Sequence, residues 1–135
     1  MLAFRLNTNA FTGSVSLTEL PKSLEYLELG RNRLSGPVSL IGLPSTLILL
    51  RLTSNSFNGS LNLSKLPESL KSIHLSMNCF SGTINVEHLP PHLKNLTASR
   101  NNLSGTVRQP SGVFCDFHEN DDLSVEYTDI EETFY

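Results

Sequence analysis

Residues 30–44 read GRNRLSGPVSLIGLP, and residues 76–90 read SMNCFSGTINVEHLP. Both stretches place an asparagine, an apolar residue, a glycine, an alternating apolar pair and a Leu-Pro dipeptide at the same spacing. The second stretch begins 46 residues after the first, which is two periods of 23. A fixed internal period decides the whole architecture of a chain, and this one extends in both directions from the two stretches.

Five columns of residues repeat every 23 positions. The asparagine column is Asn9, Asn32, Asn55, Asn78 and Asn101; the glycine column is Gly13, Gly36, Gly59, Gly82 and Gly105. Leu-Pro recurs at Pro21, Pro44, Pro67 and Pro90, and apolar residues keep the same phase. The unit is LxxLxLxxNxφxGxφxφxxLPxx, where φ is apolar. Residues 1–107 therefore hold four full 23-residue units and a partial fifth.

Each unit predicts two short strands and no helix of normal length. The alternation of Leu27 with Leu29 indicates one strand, and that of Val38 with Leu40 indicates a second. Because one unit cannot bury its apolar side alone, the units must stack with their strands parallel. A buried asparagine amide can then satisfy backbone groups of neighbouring turns, which assigns the asparagine column a structural role. The sequence predicts a mostly β repeat solenoid with few or no α-helices.

The LxxLxLxxN motif resembles the leucine-rich repeat family over residues 1–107. The "SG" followed by an alternating apolar pair resembles the plant-type subclass, and the 23-residue unit with LPxSL is similar to repeats of unicellular eukaryotes. The resemblance implies a right-handed coil with a parallel concave sheet and a second short sheet. It also implies that partners bind the concave face.

The concave face implied by the resemblance carries residues that vary from unit to unit, unlike the framework columns. Most of the basic residues lie on or beside its strands, which indicates a basic face for an acidic protein, a phosphorylated partner or a polyanion. The alternative is that these charges only occupy solvated positions. The predicted binding residues are Tyr26, Glu28, Arg31, Arg51, Lys71, His74 and Arg100.

The charge of the chain is divided between a basic body and an acidic tail. Residues 1–115 hold ten basic and five acidic residues, a formal charge of +5, whereas residues 116–135 hold eight acidic and no basic residues, a charge of −8. Residues 108–118 break the repeat, and Val113, Phe114 and Phe117 could cap the last turn. Residues 119–135 are predicted as an acidic tail, either disordered or docked as an extra strand.

Self-association is the alternative function. Met1 already occupies the first strand position, so we expect the first turn to expose apolar residues. Either the chain is a fragment, or this uncapped turn or the C-terminal tail pairs with another copy of the chain in a homo-oligomer. A size that depends on concentration would favour this alternative over partner binding.

Other classes of function lack their sequence signals. There is no Gly-rich phosphate loop, no paired metal motif and no Gly-x-Ser-x-Gly elbow, so we expect no enzyme activity, metal or cofactor. Nucleic acid is disfavoured because no dense basic cluster with interleaved aromatics is present, and a membrane because no apolar run reaches the roughly 18–20 residues of a span. No signal peptide is visible, which predicts a cytoplasmic protein, or an extracellular one if the chain is a fragment of a secreted protein.

Overall fold

The computed structural model describes residues 1–127. These residues form twelve short strands in two six-stranded sheets and contain no helix. The first sheet has the order β1 (Leu2–Arg5), β3 (Leu24–Glu28), β5 (Leu49–Arg51), β7 (Ser72–His74), β9 (Asn95–Thr97) and β11 (Phe114–Asp116). The second has the order β12 (Asp122–Glu126), β10 (Asn102–Arg108), β8 (Cys79–Gly82), β6 (Ser56–Gly59), β4 (Arg33–Pro37) and β2 (Thr12–Gly13).

Neighbouring strands in both sheets are parallel, and each turn of the chain gives one strand to each sheet. In the middle of the first sheet the register is constant, so that Leu50 pairs with Leu27 on one side and with Ile73 on the other. The predicted β-solenoid with two parallel sheets is confirmed.

The apolar columns of the repeat fill the space between the two sheets. Leu50, Ile73 and Leu96 come from successive first-sheet strands and are completely buried. Phe57 and Phe80 enter from the second sheet, with ring centroids 6.3 Å apart and planes inclined by 16°. Every turn thus supplies core residues that its neighbours cover, and the apolar area removed from water stabilises the stack.

The asparagine column forms a hydrogen-bonded ladder between turns. Asn78 Nδ2 lies 3.2 Å from the carbonyl oxygens of Leu75 and Ser76 and 3.0 Å from that of Leu52, one turn earlier. Asn78 Oδ1 accepts the backbone N–H of Phe57 at 3.1 Å. Asn32, Asn55 and Asn101 repeat the arrangement. Within residues 1–127, no buried side-chain nitrogen or oxygen lacks a hydrogen-bond partner.

A left-handed backbone bend precedes each asparagine of the column. The φ angle is 55° at Arg31 and 54° at Arg100, and Thr8, Ser54, Met77 and Glu119 have similar positive values. These bends follow the first-sheet strands and turn the chain toward the second sheet. As a result, Arg31 and Arg100 occupy equivalent places just beyond the ends of β3 and β9.

A sixth, shorter turn follows the repeat. Asn120 comes 19 residues after Asn101 and makes the bonds of the column, with Nδ2 lying 3.0 Å from the Ala98 carbonyl oxygen. Residues 108–118, predicted as a cap, supply β11 and the buried Phe117; β12 in the predicted tail pairs in parallel with β10. Residues 128–135 of that tail lie outside the described residues, and the division of the chain at residues 107 and 118 stays a prediction.

Candidate functional site

The outer face of the first sheet carries two rows of side chains that run across its strands. One row lies near the first residues of the strands and contains Ala3, Tyr26, Leu49, Ser72, Asn95 and Phe114. The other row lies near the last residues of the strands and contains Arg5, Glu28, Arg51, His74, Thr97 and Asp116. Successive members of a row are one strand spacing apart, about 4.8 Å. This spacing lets neighbours in a row bond directly to each other.

An ion-pair network links the first three strands of this sheet. Glu28 Oε2 accepts a hydrogen bond from Arg5 Nε at 3.1 Å, and Glu28 Oε1 accepts one from Arg51 Nη1 at 2.7 Å. The side chain of Glu28 is 13% exposed, whereas those of Arg5 and Arg51 are 53% and 43% exposed. Arg5 also lies over the ring of Tyr26, 5.5 Å from its centroid. Two guanidinium groups share one carboxylate, so the network retains a positive charge.

The strands β7 and β9 and the residues that follow them bear neutral hydrogen-bonded pairs. Ser72 Oγ accepts from Asn95 Nδ2 at 3.3 Å, and the hydroxyls of Ser76 and Ser99 are 2.9 Å apart. His74 Nδ1 and Thr97 Oγ1 are 3.0 Å apart. These pairs tie β7 to β9 without adding charge.

The imidazole of His74 has a lowered pKa. Burial is the main cause, the positive charge of Arg51 adds to it, and the carboxylate of Glu28 acts in the opposite direction. A histidine whose pKa lies below its usual value near 6.5 is neutral at pH 7. The centre of the face therefore offers a hydrogen-bonding ring rather than a third cation.

A depression of about 460 Å³ crosses this face, and we call it the first-sheet depression. Its lining consists of Asn7, Thr8, Gly30, Arg31, Arg51, Thr53, His74, Ser76, Thr97 and Asp116. Within residues 1–127 the side chain of Arg31 makes no hydrogen bond or ion pair. A Cβ atom at Gly30 would lie 3.1 Å from the Thr53 carbonyl oxygen, so glycine avoids a tight contact between the segments that follow β3 and β5.

The structure brings together only part of the predicted binding set. Arg31, Arg51 and His74 line the first-sheet depression, and Glu28 and Tyr26 lie beside it through their contacts with Arg5 and Arg51. Lys71 and Arg100 are not among the lining residues.

Lys71 and Arg100 differ in what surrounds them. Lys71 is exposed and precedes β7, outside the two rows. Arg100 pairs with the carboxylate of Glu119, so its charge is already matched by the sixth turn. Their assignment as binding residues stays a prediction.

Asp116 is a lining residue that the sequence did not reveal. Its side chain is 30% exposed, and its Oδ1 accepts the backbone N–H of His118 at 3.2 Å and contacts His118 Nδ1. The sequence pattern places Asp116 in the predicted cap, residues 108–118, and its charge counts with residues 116–135. A period of 23 does not align Asp116 with the row near the last residues of the strands, because the sixth turn is four residues shorter than the others. The available signal was Cys115, Phe117 and Asn120, which repeat the apolar-x-apolar-x-x-Asn pattern.

Metal and membrane signals are absent from the part of the chain that the structure describes. Residues 1–127 contain no group of three or more His, Cys, Asp or Glu side chains placed to hold a metal ion. No helix in the same range is long and apolar enough to span a membrane. Its two cysteines, Cys79 and Cys115, are free thiols.

Comparison with solved structures supports the leucine-rich repeat assignment. No family model and no curated protein matches the chain. Among solved structures, the leucine-rich repeat ectodomain of the receptor kinase SOBIR1 from Arabidopsis thaliana matches with a TM-score of 0.73 and 27% identity, over 92% of this chain and 72% of that one. The chain has a leucine-rich repeat fold. This confirms the family indicated by LxxLxLxxN, and leucine-rich repeat domains commonly bind other proteins.

Proposed function

We propose that this leucine-rich repeat protein binds another protein across the outer face of its first sheet, with a preference for acidic groups. The observation that carries the proposal is the first-sheet depression, which Arg31 and Arg51 both line together with hydroxyl-bearing residues of neighbouring turns. Rows of polar side chains on a rigid parallel sheet suit recognition of a protein surface, because the scaffold fixes their positions before binding.

The charge balance of the depression supports an acidic partner. Glu28 is shared by Arg5 and Arg51, so it does not neutralise both, and Arg31 has no ion-pair partner within residues 1–127. Positive groups that are partly exposed steer acidic partners and fix their register more than they add raw affinity. If these charges only occupy solvated positions, reversing one of them will not change binding.

A binding role fits this protein better than a catalytic one. The leucine-rich repeat fold is an interaction fold, and the sequence lacks the usual catalytic motifs. The similar structure is an ectodomain, which is compatible with the extracellular alternative for this protein; the sequence alone favoured the cytoplasm.

Capture of partners from a native lysate tests the proposal, with Arg31→Glu as the test variant and Arg33→Glu as its control. Arg33 is two residues away but lies on β4 of the second sheet, so both variants change the net charge equally. We expect a partner that is retained by the wild type and by Arg33→Glu and lost from Arg31→Glu. A partner retained equally by all three chains would contradict the proposal.

Self-association through the first turn is the second candidate. The first turn exposes Met1, Leu6 and Phe11, which are 81%, 43% and 46% accessible. Apolar side chains beside an unpaired strand edge can pair with another chain. Sedimentation at several concentrations tests this candidate: Phe11→Ser should shift the protein toward the monomer, and a size that never changes with concentration would exclude it.

A further inference from the structure

The first-sheet depression has opposite charges at its two ends. Arg31 and Arg51 lie at the end formed by β3 and β5, and Asp116 lies at the end formed by β11. The lining residues between them, which include Thr53, Ser76 and Thr97, are uncharged. His74 is neutral at pH 7 because burial and Arg51 lower its pKa. A uniformly acidic ligand would match one end and meet repulsion at the other.

The separation of the charged ends corresponds to a short stretch of peptide. Arg51 and Asp116 occupy the same row of the sheet and are separated by the strands β7 and β9, which makes three strand spacings. At about 4.8 Å per spacing, the ends are about 14 Å apart. An extended chain rises about 3.3 Å per residue, so about four residues cover this distance.

Both ends have unused bonding capacity. The guanidinium of Arg31 has no partner within residues 1–127, and Arg51 keeps a 43% exposed side chain after its contact with Glu28. At the other end, His118 contacts Oδ1 of Asp116, and Oδ2 makes no hydrogen bond to any residue from 1 to 127. A carboxylate can accept from more than one donor at each oxygen, so Asp116 can take a second cation.

We propose that the first-sheet depression is a bipolar peptide site. It binds an extended segment that runs across the strands, with an Asp or Glu side chain at Arg31 and Arg51 and a Lys or Arg side chain about four residues away at Asp116. The hydroxyl of Thr53 and the ring of His74, both partly exposed, line the path, where they can bond to the peptide backbone. This inference rests on the proposed function and specifies the chemistry of its partner.

Selection from a displayed library of random octapeptides tests the proposal without a known partner. The chain is presented as wild type, as Asp116→Asn and as Asp122→Asn; the last removes a charge from β12 of the second sheet and serves as the control. Asp116→Asn keeps the Oδ1 acceptor for His118, so it changes the charge and preserves the local bonds. We expect wild type and control to enrich peptides in which an acidic and a basic residue are about four positions apart.

The Asp116→Asn selection should keep the acidic preference and lose the basic one. For one enriched peptide, Asp116→Asn should weaken binding about two- to fivefold, the size of an exposed ion pair, and should have no effect after the peptide Lys is replaced by Gln. If the Asp116→Asn chain enriches peptides with a spaced basic residue as strongly as the wild type does, the bipolar site is overturned.

Two other outcomes separate this inference from the proposed function. Enrichment of acidic peptides without a spaced basic residue, lost in Arg31→Glu, would overturn the bipolar site and leave the acidic-partner proposal standing. Peptides bound equally well by Arg31→Glu would contradict both.

Discussion

Asn78 Nδ2 lies 3.0 Å from the carbonyl oxygen of Leu52 in the preceding turn, and Asn78 Oδ1 accepts the N–H of Phe57 from that same turn. One buried amide thereby satisfies backbone groups of two turns, which a strand ladder alone would leave without partners. The repeat of this side chain every 23 residues explains why the sequence period and the structural period agree in the middle of the chain.

Asn78→Ala should lower the free energy of unfolding by about 2–4 kcal/mol, because it leaves several buried backbone groups without hydrogen-bond partners. Asn9→Ala is the matched control, since Asn9 is exposed and donates only within its own turn, to Leu6 and Asn7. We expect the control to cost less than about 1 kcal/mol. Urea denaturation measures both; equal losses would show that the ladder contributes little between turns.

Glu28→Gln should strengthen binding of an acidic partner about two- to fivefold at low salt, because Arg5 and Arg51 lose the carboxylate that they share. The stability change should stay below about 1 kcal/mol, since both arginines are largely exposed. Glu19→Gln makes the same charge change away from the first sheet. Isothermal titration at two salt concentrations would measure the effect, and equal gains for the two variants would assign it to net charge alone.

His74 should make folding less favourable as the pH falls. Burial and Arg51 lower its pKa in the folded state, with Glu28 opposing, so the unfolded chain binds the proton more tightly. Its contribution to stability is therefore fully present above pH 6.5 and declines as the pH falls from 6.5 through the lowered pKa. Denaturation of wild type and His74→Gln between pH 7.5 and 4.5 tests this: the difference between the two should change with pH. A constant difference would refute the account.

Cys115 should resist alkylation. Burial raises the pKa of its thiol to about 11, with a smaller opposing effect from the Gln109 side chain. At pH 8 about 0.1% is then thiolate, roughly 200-fold less than for an ordinary cysteine of pKa about 8.5. Iodoacetamide labelling followed by peptide mass spectrometry should show this slow reaction in the folded chain and a fast one in guanidinium. Rapid labelling of the folded protein would contradict the shielding that the half-buried position of Cys115 on β11 provides.

The fold could be read from the sequence wherever a column repeated without interruption. Leu27, Leu50 and Ile73 keep a 23-residue phase, and the structure places them in one buried column between the sheets. The sixth turn breaks that phase, because its Asn120 follows Asn101 after 19 residues and not after 23. The spacing within the sixth turn is nevertheless that of the strand motif, because Cys115, Phe117 and Asn120 repeat the apolar-x-apolar-x-x-Asn pattern.

The sequence predicts where the site residues lie on the sheet, but it does not predict which of their side chains form ion pairs. The rows that contain Arg51 and His74 follow from strand register, which the period fixes. That Glu28 bridges Arg5 and Arg51, and that Arg100 pairs with Glu119, depends on rotamers and on the shortened turn. The shortened turn also places Asp116 in the site, because the 19-residue spacing puts Asp116 opposite Thr97.

The dissociation constant of a captured partner, compared between Arg31→Glu and Arg33→Glu, tests the central claim most directly. Both residues are exposed arginines two positions apart, but only Arg31 lines the first-sheet depression. The account predicts at least about fivefold weaker binding for Arg31→Glu and less than about twofold for Arg33→Glu, with the difference shrinking in high salt. Equal constants for the two variants would show that the partner binds elsewhere.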